Sequence, residues 1–237
     1  MNGAFSVELG TVRKQYGDRV VLDTGSFELE SGHSYALVGP NGSGKSTLLR
    51  VLAGVETATE SSVKVKGEAT YESLTVGYMP QKSYVFGFTV FRNVSLALAA
   101  SNLPRDEVAK RVEQALAAVG MEDMADARGG GLSGGEAQRV ALARLLVQDL
   151  DVMLLDEPTA SMDIAGTMLV EKALQEYRDR TGCMLVTATH APSQARRISD
   201  TAIMLSAGAI VEFGETETVL NTPTSEAGRE FLSYWMV

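Results

Sequence analysis

Nine residues, Gly39-Pro40-Asn41-Gly42-Ser43-Gly44-Lys45-Ser46-Thr47, combine three glycines, one lysine and three hydroxyls. Gly39, Gly44, Lys45 and Ser46 fit the spacing G-x-x-x-x-G-K-[ST], with Gly42 as an extra glycine inside it. Glycines let a loop curl until successive N–H groups point inward, which makes a cradle for a triphosphate. A helix starting near Lys45 adds its positive end. Lys45 has the reach to meet β and γ phosphates, and the Ser46 hydroxyl can ligate Mg²⁺. Phosphoryl transfer also asks for a carboxylate that holds the metal and a group that orients water. Val152-Met153-Leu154-Leu155-Asp156-Glu157 offers both, with Asp156 facing Mg²⁺ directly or through water and Glu157 placed as general base.

These side chains need a scaffold. Ser34–Val38 reads as a short strand running into the glycine loop, and Ser46–Leu52 as the helix leaving it, the context a phosphate loop requires. Val152–Leu155 and Met184–Ala188 are apolar on both faces, as central parallel strands covered by helices are. Ile164–Tyr177 is helical between them, so the order predicts an α/β sheet with crossover connections. Phe5–Leu9 alternates apolar and polar residues, and Val20–Glu30, Val63–Lys66 and Leu74–Tyr78 add further strand material. From Val90 to about Val147 helix patterns dominate. There Val108, Val112, Leu116 and Val119 share one face, and Gly135–Val147 forms a later helix.

Composition narrows the function classes. The chain of 237 residues carries a net charge of −9, which argues against wrapping nucleic acid. Cys183 is the only cysteine, so an intramolecular disulfide and a multi-cysteine metal site are excluded, and a reducing cytoplasmic compartment is expected. The start, MNGAFSVELG, lacks the pattern of a signal peptide. No apolar run approaches the ~18 residues of a membrane span, so a membrane role must come through a partner.

Leu132-Ser133-Gly134-Gly135-Glu136-Ala137-Gln138-Arg139 precedes the carboxylate strand. With the glycine loop and Asp156-Glu157, this string makes residues 4 to 215 resemble the nucleotide-binding subunit of an ATP-binding cassette (ABC) transporter. The resemblance implies a P-loop NTPase (RecA-like) core with a mostly parallel sheet, an N-terminal antiparallel β subdomain and an inserted helical signature subdomain near 88–148. The whole of 1–237 would form a single ABC ATPase domain. It implies ATP and Mg²⁺ as ligands. Tyr16 resembles the aromatic that stacks on adenine. Gln81 is similar to the glutamine that contacts Mg²⁺ and water, and His190 to the switch histidine at the γ-phosphate. Ala160-Ser161-Met162-Asp163 resembles the loop that communicates between paired sites. Ser133, Gly134 and Gly135 of one chain would meet the phosphates held by Lys45 of another, so ATP joins the pair.

The function so implied is an ATPase in a homodimer, or with a paired ABC subunit, on the cytoplasmic face of the membrane. It would energise transport, most simply import with a solute-binding protein, through separate permease subunits. An inorganic oxyanion cargo is a general-resemblance expectation. A soluble ABC ATPase of an assembly scaffold, such as iron–sulphur cluster assembly, is the alternative, and a nucleotide-sensing module a third. With Phe231-Leu232-Ser233-Tyr234-Trp235 following soon after the core, no added regulatory domain is expected. Thr59-Glu60-Ser61-Ser62 departs from the family's serine–glycine turn and puts the local strand pairing in question.

Overall fold

The computed structural model describes residues 3–235. In chain order the strands and helices are β1 (Phe5–Leu9), β2 (Arg13–Tyr16), β3 (Arg19–Asp23), β4 (Phe27–Glu30), β5 (Ser34–Val38), α1 (Lys45–Leu52), β6 (Val63–Gly67), β7 (Val76–Met79), α2 (Val90–Ser95), α3 (Arg105–Ala118), α4 (Gly134–Leu146), β8 (Val152–Asp156), α5 (Ile164–Thr181), β9 (Met184–Ala188), α6 (Pro192–Ile198), β10 (Thr201–Ser206), β11 (Ala209–Glu215), α7 (Thr216–Asn221) and α8 (Glu226–Ser233).

Among the described residues, β11-β10-β5-β9-β8-β7 form one six-stranded sheet, parallel except for β11. Its strands are apolar on both faces because both are covered, and the two-residue period shows it. Val152 and Leu154 of β8 point into a core shared with α1 and the N-terminal strands, whereas Met153 and Leu155 point into one shared with α3, α4 and α5. Ala36 and Val38 of β5 face a third cluster with α6, α7 and α8. Burying each Leu or Val in these cores stabilises the fold by about 1.5–3 kcal/mol.

The N-terminal part is antiparallel: β4-β1-β6 form one sheet and β2-β3 a hairpin. The pairing that Thr59–Ser62 put in question is made. Thr59 N–H donates to Arg13 O at 2.8 Å, Arg13 N–H to Glu60 O at 2.8 Å and Gly10 N–H to Ser62 O at 2.8 Å, which delivers β6 to β1 in register. Of the face expected on α3, Val112 and Leu116 are buried, as is Val119 just past its end, whereas Val108 is half-buried near the start of the helix; Ala115 joins the buried face.

Several boundaries shift by one residue, and three differ more. The material read as Leu74–Tyr78 becomes β7 two residues later. The Asp151 carboxylate accepts from the Thr75 amide at 2.8 Å and hydroxyl at 2.7 Å, so ladder pairing starts at Val76. Val20–Glu30 divides into β3 and β4 around Gly25, which adopts φ 70. Helix α5 runs on to Thr181, where Gly182 at φ 70 ends it.

Candidate active site

Sheet register decides where the polar residues meet. Leu37 of β5 pairs with Ala188 of β9, Ala188 with Asp156 of β8, and Leu155 of β8 with Met79 of β7. The carboxyl ends of four neighbouring parallel strands therefore lie in one row. The segments that follow them, carrying Gly39–Ser43, Glu157, His190 and Gln81, emerge at one edge, where open α/β sheets place ligands.

The glycine loop sits between β5 and α1. Gly39 at φ 140 and Gly44 at φ 108 hold backbone that side chains rarely adopt, and a methyl on Gly39 would collide with the Leu205 carbonyl. Pro40, Asn41 and Gly42 form its exposed outer turn. Lys45 is buried and donates from Nζ to Gly39 O at 2.8 Å and Pro40 O at 3.1 Å. Burial pushes its pKa down, and Glu157 and Asp156 push it back up. The Ser43 hydroxyl is buried and has no hydrogen-bond partner among the described residues. A buried orphan hydroxyl inside the glycine loop fits an anionic ligand. Thr47 is buried, and Ser46 is half-buried beside Asp156.

Asp156 is 4% exposed, and burial raises its pKa, with the nearby Glu157 charge adding to the rise. A hydrogen bond from Ser46, and the charges of Arg50 and Lys45, oppose it. Glu157 stands at φ 50, a left-handed conformation uncommon outside glycine, with its N–H on Ala188 O at 3.0 Å. That turn swings its carboxylate out of the sheet to face both flanking loops. Oε1 lies 3.2 Å from His190 Nδ1, and Oε2 accepts from Gln81 Nε2 at 3.2 Å. His190 is otherwise exposed, with the Trp235 ring 6.2 Å away.

The expected residues thus fall into two groups. Lys45, Ser46, Asp156, Glu157, Gln81 and His190 are brought together. The signature is not brought to them. Ser133 caps α4, accepting from Glu136 N–H at 3.4 Å and giving its own N–H and hydroxyl to Glu136 Oε2 at 2.7 Å each. Ser133, Gly134 and Gly135 line a cavity with Ser161, Met162 and Asp163, and no glycine-loop residue lines it. Asp163 caps α5, its Oδ1 accepting from Gly166 N–H at 2.7 Å. Tyr16, at the end of β2, is 46% exposed.

Two residues escaped the sequence reading. Gln138 is buried and bridges the halves of the site: Nε2 donates to Glu157 O at 3.4 Å, and Oε1 accepts from Ser161 N–H at 2.9 Å. Its signal was a polar residue on the helix face of Ala141, Leu142 and Leu145, all buried. Gln194 is buried on α6 and donates to Thr159 Oγ1 at 2.8 Å, two residues after Glu157. No local pattern announces it.

Comparison with known proteins agrees with this geometry. The family model described as ABC transporter matches residues 22–160. A probable anion import ATP-binding protein of Haloferax volcanii is 38% identical over 92% of this chain and 83% of its own length. The spermidine/putrescine import ATP-binding protein PotA of Bacteroides fragilis is 32% identical over 95% of this chain, which spans about half (50%) of that relative. Among solved structures, a dimeric ATP-binding cassette in a post-hydrolysis state, bound to ADP and Pi, superposes with a TM-score of 0.79 at 26% identity, covering 89% of this chain and 98% of that one. With the loop, the carboxylate strand and the signature all in place, the chain belongs to the ABC transporter family, as one of its ATP-binding, ATP-hydrolysing subunits.

Proposed function

We propose that the chain is the ATPase subunit of an ABC import system, working in pairs at the cytoplasmic face of the membrane beneath separate permease subunits. The observation that carries this reading is the Glu157 carboxylate, held between His190 and Gln81 at 3.2 Å each beside the glycine loop. The loop amides and Lys45 hold the triphosphate. Glu157 takes a proton from the attacking water, which contributes about 10²–10⁴-fold to the rate. Gln81 and His190 hold that carboxylate and water in line with the γ-phosphate. Tyr16 stacks on the base.

Asp156, the Ser46 hydroxyl and Gln81 would hold Mg²⁺. Hard oxygen donors suit it, and so small a protein set leaves room for water and phosphate oxygens. When bound, the metal supplies neutralising charge at the β and γ phosphates. The separation of Ser133–Gly135 from the glycine loop supports a site completed by a second chain, as do Ile164 and Met168 of α5, exposed apolar side chains next to Asp163. We read 1–237 as a single ABC ATPase domain with its helical insert near 88–148.

No helix of the described residues is long and apolar enough to cross a membrane, so a permease must be separate or elsewhere. Its docking surface is the turn after Gln81. Tyr84, Phe86 and Phe88 are exposed, and Tyr84 meets Phe86 edge-on at 5.2 Å. Buried Asn93 fixes the turn: its Oδ1 accepts from Phe86 N–H at 2.8 Å, and its amide donates to Phe86 O and Thr89 O. The import names of the relatives favour this reading over an assembly scaffold, and the anion import relative favours an inorganic oxyanion as cargo, chosen by the permease and its solute-binding protein. Phosphate release by Lys45→Ala tests the site. The variant should lose ATP binding or turnover, and near-normal turnover overturns the phosphate-loop assignment.

A further inference from the structure

Glu56 lies outside every motif, in the connection between α1 and β6, yet it is among the most heavily bonded carboxylates of the chain. Its Oε1 accepts from the Tyr16 hydroxyl and from Lys14 Nζ at 3.1 Å, and its Oε2 accepts from Arg50 Nε at 3.0 Å. Arg50 then reaches the phosphate-loop segment, donating from Nη2 to Thr47 Oγ1 at 3.1 Å. Lys14 Nζ lies 4.9 Å from the centre of the Tyr16 ring and also donates to Thr57 O at 2.7 Å.

We propose that Glu56 is a positioning residue for the nucleotide base, fixing Tyr16 as a stacking platform and joining that platform to the phosphate loop through Arg50 and Thr47. The inference rests on the reading of Tyr16 as the base-stacking aromatic. An exposed tyrosine at the tip of a two-stranded hairpin ordinarily samples several rotamers, and a ligand that stacks on it must freeze them. Here the hydroxyl is held at one end, and the Lys14 ammonium covers one face by a cation–π contact. A base is left the other face, already oriented. Freezing before binding removes an entropic cost from the complex. The clamp stays charged at working pH, because the Tyr16 hydroxyl foremost, then Arg50 and Lys14, hold the Glu56 carboxyl at about 2 against desolvation. The chain Tyr16–Glu56–Arg50–Thr47 also fixes the spacing between the surface that meets the base and the loop that meets the phosphates.

The role separates base from phosphate, and so does its test. Calorimetric titrations with ATP and with inorganic triphosphate are run on the full chain and on Glu56→Gln, Tyr16→Phe, their double variant and Tyr16→Ala. Loss of one hydrogen bond to a charged group corresponds to about a 10-fold change. Glu56→Gln and Tyr16→Phe should each weaken ATP by about that factor and leave triphosphate unchanged. The double variant should be no weaker than the worse single one. If Tyr16→Ala weakens ATP while Glu56→Gln does not, the positioning role is overturned and base stacking stands. If Tyr16→Ala leaves ATP affinity intact, the stacking reading falls, and the proposal with it. Equal losses for ATP and triphosphate in Glu56→Gln would make Glu56 a support of the loop fold and overturn the proposal.

Discussion

Glu157→Gln is the sharpest perturbation of the proposed chemistry, because it changes one oxygen to NH₂ in a side chain of the same shape. Both carboxylate oxygens are engaged, with His190 Nδ1 at 3.2 Å and Gln81 Nε2 at 3.2 Å. A glutamine can satisfy both neighbours. Its oxygen accepts from one, and its NH₂ faces the other after the Gln81 amide flips or His190 changes tautomer. The pocket therefore keeps its form. The charge does not survive, and Glu157 helps hold the Asp156 pKa up and restore that of Lys45. Neutralising it lowers both, which leaves Asp156 the readier carboxylate and removes one negative charge beside the triphosphate. ATP binding should hold or tighten. What disappears is the proton acceptor, and a 10²–10⁴-fold loss corresponds to about 2.7–5.4 kcal/mol of barrier. Single-turnover phosphate release measures the loss. Size-exclusion chromatography with light scattering should show an ATP-bound dimer accumulating. Turnover within about threefold of the parent, with ATP bound, would refute Glu157 as the base.

Two further outcomes follow. Phe86→Ser with Phe88→Ser should abolish transport in reconstituted vesicles while the isolated chain hydrolyses ATP as before, and surviving membrane association and transport would sink the docking assignment. Cys183 is 1% exposed, and burial pushes its thiol up to about 12, so a colourimetric thiol reagent at neutral pH should leave the native protein unmodified and titrate one thiol after unfolding. Fast reaction of the native chain would contradict its burial.

Much of this site could be read from the sequence because its residues are local to elements with strong patterns. Tyr35–Val38 and Val152–Leu155 are continuous apolar runs, and the chemistry begins where each run stops. Glycine at 39 and 44 is demanded by backbone that few side chains adopt, so spacing alone marked the loop. Glu56 could not be found that way, since its hydroxyl partner is 40 residues distant and only the β2–β3 hairpin folding beside α1 joins them. The start of β7 was misplaced because the competitor for the Thr75 amide, Asp151, is 76 residues away. Beyond His190 the strands β10 and β11 went unread. β11 is half-buried along most of its length, and the clean apolar run that identified β5 is missing from it.

Ser133 begins α4 with its amide and hydroxyl both given to one carboxylate, Glu136. A hydroxyl carries a single proton. On the proposed pairing, to serve a phosphate on a second chain it would first have to release Glu136, so the encounter of two subunits would swap one anionic acceptor for another. A swap of this kind conserves the number of bonds and releases little net energy. The released carboxylate would also stay near the arriving phosphate, where like charges repel. Such a contact at the signature would be provisional. A transporter that must reopen in every cycle gains more from a handclasp than from a weld.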